Sequence, residues 1–262
     1  MAFLEGETVY LVDRSGKRTW LRISFDMLKV ASLGTVDGSR FKDLDNGSKI
    51  SIVGKDYFVF RPGAVELMES LDRGAQIISP KDAATILLNC DIRSGSIVLE
   101  VGAGSGGLTT ALLNAVAPAG MVHTLEFKED NVKLALKNIK RTGLDKCWKY
   151  TIGDARDIKV DTIADALIMD MPDPWLALDN LFGNIGHGGR ICSYVPNMNQ
   201  AERIVFALRE KGFAEVYALE NIQRGLDVHP GGVRPAFEML GHTGYLIFGR
   251  KTQDTQENDV FR

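Results

Sequence analysis

The sequence lacks the features that mark membrane, secreted and metal-binding proteins. No uninterrupted apolar run approaches the roughly 20 residues that a helix needs to span a bilayer, and no basic segment followed by an apolar stretch opens the chain, so we expect no secretory signal. Its three cysteines, Cys90, Cys147 and Cys192, form no CxxC pair, and its four histidines are scattered. These absences argue against a zinc site and favour a reducing compartment, so we expect a cytoplasmic protein with no membrane partner and no metal.

The chain also lacks an excess of basic residues. Its formal net charge is −3, with 25% charged and 45% hydrophobic residues, as in ordinary globular proteins. A nucleic-acid partner would therefore need a local basic patch, or one assembled from several subunits. The 262 residues suffice for an α/β domain plus a small second domain.

The first 65 residues are predicted to form a small β-rich domain. Residues 7–13, 20–25 and 50–59 mix β-branched and aromatic residues with polar ones, and clusters of Gly, Asp, Asn and Ser separate them. This pattern predicts a small antiparallel barrel or sandwich. Through residue 60 it holds nine Lys+Arg and eight Asp+Glu, so charge does not decide between a substrate-binding appendage and a module for stability and assembly.

Helical and strand patterns alternate from residue 66 to residue 251, and the polar residues 252–262 are expected to form a frayed tail. This alternation predicts a doubly wound, mainly parallel sheet. The last two predicted strands are joined by a long loop with no helix signal. The predicted helices span residues 64–71, 82–88, 108–116, 130–142, 176–181 and 200–211. The predicted strands span residues 97–101, 121–126, 148–152, 166–170, 189–195, 214–221 and 244–250.

A glycine-rich turn follows the strand predicted over residues 97–101. Gly102, Gly104 and Gly106 allow the backbone to bend sharply and to approach a ligand that a Cβ would keep away. The next helix points its unpaired N–H groups at such a ligand. A dinucleotide would suit this turn too, but the third glycine follows the second by two residues rather than the three of the dinucleotide pattern, although Gly107 satisfies that longer spacing.

Carboxylates stand at the ends of the strands around this turn. Glu126 ends the second strand, where it can accept hydrogen bonds from both ribose hydroxyls of a cofactor. Asp154 and Asp170 end the third and fourth strands, and open α/β sheets bind ligands at these carboxyl ends. The pattern resembles class I methyltransferases, in which Glu100 would lie near the methionine part of the cofactor and Asp154 would meet its adenine amino group. Asp154 taken alone suits a turn or cap equally well.

This resemblance implies an α/β, Rossmann-like class I methyltransferase fold, with a mainly parallel sheet whose last strand is antiparallel. Residues 66–251 would carry it, behind the small β domain of residues 1–65. It also implies S-adenosylmethionine as the cofactor. The residues expected to bind that cofactor are Gln76, Gly102, Ala103, Gly104, Ser105, Gly106, Gly107, Leu108, Glu126, Asn131, Asp154, Ala155 and Asp170.

Four segments form a series that is more specific than the glycine turn alone. They are AQIISPKD at residues 75–82, LEVGAGSGG at 99–107, DMPDPW at 170–175 and GHT at 241–243. Over about residues 60–250 they resemble the tRNA (adenine-N1)-methyltransferases, which modify adenine 58 of the T-loop and in archaea sometimes also adenine 57. The resemblance implies a homotetramer that transfers a methyl group from S-adenosylmethionine to folded tRNA; the choice of adenine stays open.

Asp170 is the expected catalytic residue. As adenine N1 takes the methyl group, the base becomes cationic and its exocyclic amine more acidic. A carboxylate beside that amine can accept its hydrogen bond and stabilise the developing charge. The resemblance assigns this role to Asp170, and its place at a strand end beside the methyl donor supports the assignment.

The residues expected to bind substrate are Ser79, Trp175, Arg224, Arg234 and His242. Many relatives carry Tyr at the position of Ser79, so an aromatic contact to the base would fall to Trp175, Tyr194 or Phe237. The Gly/Pro-rich loop of residues 223–235 is interpreted as a tRNA contact whose two arginines meet phosphates. The alternatives are two exposed arginines in an irregular loop and, for the histidine, a structural hydrogen bond beside the last strand.

Two other functions compete with this hypothesis. A methyltransferase of the same fold that acts on a protein or a small molecule would share the glycine turn, but not the DMPDPW segment. A non-catalytic tRNA-binding subunit would keep the fold and lose the cofactor motifs, which are intact in this sequence.

Overall fold

The computed structural model describes residues 1–30, 32–72, 74 and 77–253, so the Gln76 prediction and most of the predicted tail lie outside the described residues. The chain divides into two compact units, Met1–Ser70 and Leu71–Arg262. Within the described ranges, no helix combines the length and the apolar character that crossing a bilayer requires.

The first unit is a small antiparallel β structure that ends in a short helix. Its elements are β1 (Thr8–Val12), β2 (Arg18–Arg22), β3 (Met27–Val30), β4 (Gly34–Asp37), β5 (Lys49–Ile52), β6 (Lys55–Phe60) and α1 (Ala64–Glu69). Strands pair in the order β2-β1-β6-β5, and β3 and β4 form a separate hairpin. Alternate residues such as Val9, Leu11 and Val59 are fully buried, so one face of the sheet supplies the core.

The prediction of one strand over residues 50–59 is wrong. Val53 and Gly54 both adopt positive φ angles, of 49° and 73°, and turn the chain back into the hairpin of β5 and β6. The hairpin of β3 and β4 was not predicted at all.

The second unit is the doubly wound sheet that the alternating pattern predicts. Its elements are α2 (Pro80–Asn89), β7 (Ile97–Val101), α3 (Gly107–Val116), β8 (Met121–Glu126), α4 (Glu129–Thr142), β9 (Trp148–Ile152), β10 (Ala164–Met169), α5 (Leu178–Leu181), β11 (Ile185–Val195), α6 (Met198–Glu210), β12 (Phe213–Glu220), β13 (Leu226–His229), β14 (Gly232–Pro235) and β15 (Tyr245–Lys251). The seven-stranded sheet has the order β12-β15-β11-β10-β7-β8-β9.

The direction of the strands confirms the predicted class I methyltransferase fold. Strands β7 to β11 run parallel, and β15 lies antiparallel between β11 and β12. The chain builds the sheet outward from β7 in one direction through β8 and β9, and then returns to β10 on the other side. This reversal leaves a crevice at the carboxyl ends of β7 and β10, the place where such sheets bind ligands.

The segment predicted as an irregular loop over residues 223–235 contains a hairpin. Strands β13 and β14 pair with Val228 opposite Val233 and Asp227 opposite Arg234. One face of the hairpin is therefore apolar and the other carries an ion pair, because successive side chains of a strand point to opposite faces.

Candidate active site

Gly102 allows the ends of β7 and β10 to approach each other. Its φ is +92°, and a Cβ at this position would lie 2.1 Å from the backbone oxygen of Asp170. Gly104 and Gly106 also have positive φ angles, of 51° and 86°, and Gly106 is the residue from which α3 begins. The sequence thus needs glycine where the turn is left-handed and where a backbone lies this close.

The carboxylate of Glu126, at the end of β8, holds this turn in place. Its Oε2 accepts hydrogen bonds from the backbone N–H groups of Ala103 at 2.9 Å and Gly104 at 3.2 Å, and its Oε1 accepts one from Lys128 at 2.8 Å. A carboxylate offers about four lone-pair positions. One remains on Oε1, so a ribose would find a single acceptor here while the turn keeps this geometry.

The side chain of Glu100, which the resemblance to class I methyltransferases places near the methionine part of the cofactor, points into the protein interior. Its side chain is buried in β7, where Oε2 accepts hydrogen bonds from the Thr109 and Thr124 hydroxyls at 2.8 and 2.6 Å. Burial away from water raises the pKa of Glu100 to about 8, against the effect of these hydrogen bonds. Glu100 therefore joins β7, β8 and α3 beneath the glycine turn as an acid that is mostly neutral at pH 7.

Asp170 follows β10 directly, and its backbone N–H donates to the Val101 carbonyl at 2.9 Å. Its side chain is exposed to solvent at the crevice, yet protein surrounds it on most sides. The resulting loss of hydration raises the pKa of Asp170 to about 6, and the negative charge of Glu126 adds to the effect. Asp170 is thus an accessible carboxylate at neutral pH whose ionised form gains from a hydrogen-bond donor or a positive charge.

The other described residues that were expected to bind cofactor differ in burial and in their contacts. Asp154 is held by Arg156, whose Nε lies 2.9 Å from Oδ1, and this contact lowers the pKa of Asp154 to about 2. Asn131 is half-buried in α4, whereas Ala155 and Leu108 are buried. Asp154 has a partner of its own at the turn, so both of its predicted roles stay open.

The glycine turn fits an anionic or hydroxyl-bearing ligand such as S-adenosylmethionine. The hydroxyl of Ser105 is buried and, among the described residues, has no hydrogen-bond partner. A Cβ on Gly104 would meet nothing within 4 Å, so open space lies beside the turn. A buried hydroxyl without a partner, open space beside Gly104 and the start of α3 together fit a turn that holds such a cofactor.

The residues expected to bind substrate are not all free to do so. Ser79 is the N-cap of α2 and accepts a hydrogen bond from the Asp82 backbone. Trp175 is half-buried and carries the Arg203 guanidinium 5.3 Å from its ring centre. In the hairpin segment, Arg234 lies 3.4 Å from Asp227. Ser79, Trp175 and Arg234 therefore each have a partner within the chain.

Arg224 and His242 also have partners within the chain. The Nε of Arg224 donates to the Ala236 carbonyl at 3.1 Å. His242 has one ring nitrogen 2.6 Å from Glu220 and the other 2.9 Å from the Pro196 carbonyl, and the carboxylate of Glu220 raises the pKa of His242. These contacts fit the alternative that His242 is a structural histidine beside the last strand.

Two features of this region were not predicted from the sequence. Phe127 directly follows Glu126, and 68% of its side-chain surface is exposed beside the start of α4. An aromatic residue next to an acidic strand end was the available signal. Lys81, inside the AQIISPKD segment, contacts Thr243 of the GHT segment at 2.7 Å, a pairing that no local sequence pattern reveals.

Comparison with known proteins adds to this geometry. A family model described as the GCD14 subunit of a tRNA methyltransferase complex matches residues 58–232. The chain is 31% identical to the tRNA (adenine(57)-N(1)/adenine(58)-N(1))-methyltransferase TrmI of Methanocaldococcus jannaschii, over 92% of this chain and 93% of that protein. It is 28% identical to the tRNA (adenine(58)-N(1))-methyltransferase TrmI of Thermus thermophilus, over 76% of this chain and 78% of that one.

Two solved structures resemble nearly the whole chain. A structure described as a SAM-dependent O-methyltransferase from Thermotoga maritima superposes with a TM-score of 0.86 at 27% identity, covering 98% of this chain and 97% of that one. The tRNA (m1A58) methyltransferase TrmI of Aquifex aeolicus superposes with a TM-score of 0.78 at 28% identity, covering 97% and 100%.

Proposed function

This chain belongs to the tRNA methyltransferase family of the GCD14 subunit, and from that premise we propose that it transfers a methyl group from S-adenosylmethionine to N1 of adenine in the T-loop of tRNA. The target is adenine 58, alone or together with adenine 57. The observation that carries the proposal is the accessible carboxylate of Asp170, which Gly102 brings against the cofactor turn.

Each part of the crevice has one task in this reaction. S-adenosylmethionine, when bound, supplies an electrophilic methyl group. Glu126 and the backbone of the glycine turn would hold and orient it, and the buried hydroxyl of Ser105, which has no partner among the described residues, would supply a further polar group at the turn. Asp170, ionised at neutral pH, accepts a hydrogen bond from the exocyclic amine of adenine. That contact aims N1 at the methyl group and stabilises the positive charge that grows on the base.

We further propose that the protein acts as a homotetramer in the cytoplasm. The apolar face of the hairpin supports assembly, because Leu226, Val228 and Val233 are largely exposed in the single chain. Exposed apolar side chains clustered on one element mark an interaction surface. Assembly also supplies what the acidic chain lacks, since basic residues of several subunits can line one tRNA-binding surface.

A nucleoside assay tests this function. The purified chain is incubated with an unmodified tRNA transcript and methyl-labelled S-adenosylmethionine, and the tRNA is digested to nucleosides. We expect labelled 1-methyladenosine, and its loss from transcripts with position 58 or position 57 replaced identifies the target. No 1-methyladenosine contradicts the proposal: tRNA binding without the donor then points to a non-catalytic subunit, and no tRNA binding points to a protein or small-molecule methyltransferase.

A further inference from the structure

Lys81 joins three segments that are far apart in the sequence. Its ammonium group donates to Asp82 Oδ1 at 2.8 Å, to the Asn221 carbonyl at 2.6 Å and to Thr243 Oγ1 at 2.7 Å. An ammonium group has three donors, so each one has an acceptor. Lys81 is 12% exposed and Asp82 is fully buried, so the contacts are shielded from water.

We call these contacts of Lys81 with Asp82, Asn221 and Thr243 the junction. Further hydrogen bonds join the same segments. Asn221 Nδ2 donates to the Lys81 carbonyl at 3.0 Å and to Thr85 Oγ1 at 2.8 Å. The Ser79 hydroxyl donates to Asp82 Oδ2 at 2.7 Å. These contacts therefore hold the first turn of α2 in a fixed position relative to Asn221, which follows β12, and Thr243, which precedes β15.

The junction continues toward Asp170 through Tyr194. The Tyr194 hydroxyl donates to the Thr243 carbonyl, and a Cβ on Gly244 would lie 2.4 Å from the Tyr194 ring, so the segment packs directly on this tyrosine. Burial raises the pKa of Tyr194 to about 12, and the negative charges of Asp82 and Asp170 add to the effect. Met169, the last residue of β10, pairs with Ser193 of β11, so Asp170 and Tyr194 are the next residues along these neighbouring parallel strands.

We propose that Lys81 is a positioning residue for the acceptor base: by holding Thr243, it fixes Tyr194 beside Asp170 on the wall of the crevice where adenine must lie. The inference rests on the proposed function, since it assigns Lys81 and Thr243 to the acceptor side of that same site. It also gives a role to this buried ion pair, since such pairs on average add little stability compared with apolar residues of similar volume.

Variants of Thr243 test the inference without leaving a buried charge unpaired. Thr243→Val removes the oxygen that Lys81 holds, whereas Thr243→Ser keeps it. We expect Thr243→Val to lower kcat for tRNA at least tenfold, with the Kd for S-adenosylmethionine, measured by calorimetry, within threefold of wild type. Thr243→Ser should stay within threefold in kcat. Thr162→Val is the matched control, since it removes a 2.6 Å contact to His123 of β8, which takes no part in the contacts of Lys81, and should leave kcat unchanged.

A double-mutant analysis separates positioning from general stability. The pair Lys81→Met with Asp82→Asn keeps the site neutral and should lower kcat as much as Thr243→Val does. The double variant Thr243→Val with Tyr194→Phe should have a kcat no more than threefold below that of the worse single variant, because both substitutions act through one contact. Multiplicative losses, or a Thr243→Val enzyme with wild-type kcat, would overturn the inference. The wild type in the same assay reports on the proposed function separately, since absence of 1-methyladenosine there contradicts that function and not the connection between Lys81 and Tyr194.

Discussion

Glu100 in β7 and Asp170 after β10 are two acids with raised pKa values and opposite surroundings, and this difference divides their roles. Glu100 is enclosed by threonine hydroxyls and is mostly neutral at pH 7, whereas Asp170 reaches solvent and ionises near pH 6. An enclosed neutral acid supports structure, and an accessible one that ionises near neutrality is available to a substrate. The raised pKa of Asp170 also means that its charge costs stability in the folded protein until a partner arrives.

Asp170→Asn should lower kcat/KM at least 100-fold, the scale of losing a positioned carboxylate. In the wild type, kcat/KM should rise with pH through about 6 and then level off, because the ionised form is the active one. The folded pKa lies above the unfolded one, so ionisation of Asp170 destabilises the fold above pH 6 and not at pH 4. The variant should therefore melt at a higher temperature than the wild type at pH 8, and the two should converge toward pH 4.

Asp161→Asn is the control for this experiment, because Asp161 is an exposed acid away from the crevice. It should match the wild type in both kcat/KM and melting temperature. Full activity in Asp170→Asn would contradict the assigned role, and a pH-independent difference in melting temperature would contradict the raised pKa.

Glu100→Gln should change the pH dependence of stability. Between pH 4.5 and about 8, folding makes Glu100 take up a proton that it lacks in the unfolded chain, so the wild type loses stability as pH rises over this window. Glutamine resembles the neutral acid and has no proton to lose. The melting temperature of the variant relative to wild type should therefore increase from pH 5 to pH 8. A difference that stays constant over this range would show that Glu100 is ionised in the fold.

The position of these acids could be predicted from the sequence, but not which way each one points. Strand ends and a glycine turn are local patterns, and they located Asp170 and Glu126 correctly at the carboxyl edge of the sheet. Glu100 lies within a strand that is buried on both faces, so alternation of polar and apolar residues could not show the direction of its side chain. Its partners Thr109 and Thr124 come from two other elements, which only the fold brings together.

At the scale of elements, the start of α2 depends on its cap. Ser79→Ala removes the side chain that accepts from the Asp82 backbone and should lower the free energy of unfolding by about 1 kcal/mol. Ser79→Thr keeps the hydroxyl and should stay near wild type in urea unfolding. If Ser79→Ala instead unfolds like the wild type and raises only the KM for tRNA, then Ser79 contacts substrate, as the sequence led us to expect, and its capping role is minor.

Helices and strands with a clear repeat of apolar residues were predicted well from the sequence, and short hairpins were not. The helix from residue 129 to 142 and the strands of the parallel sheet show clear apolar repeats. The hairpin of β13 and β14 was hidden because Pro230 and Gly231 make its turn look like part of an irregular loop. Leu226, Val228 and Val233 do alternate with polar residues there, which was the signal available in the sequence.

At the scale of the molecule, assembly is what the sequence leaves open. A single chain with a net charge of −3 has no overall electrostatic attraction to tRNA, and it exposes the apolar face of the hairpin. Assembly of several copies through the hairpin would account for both features. Burying that face removes apolar surface from water, and several subunits together can present basic residues to one tRNA.

Val228→Glu tests this assembly. Val228 is 74% exposed in the single chain and faces outward beside Val233, so a carboxylate there is harmless to a monomer but would be buried without a partner in an interface. Light scattering during size exclusion should show a tetramer for the wild type and a smaller species for the variant. Leu88→Glu is the matched control, since Leu88 is 82% exposed on α2, away from the hairpin, and this variant should remain a tetramer. If Val228→Glu keeps the wild-type mass, the copies meet through another face; if the wild type itself is a monomer, the proposed tetramer is wrong.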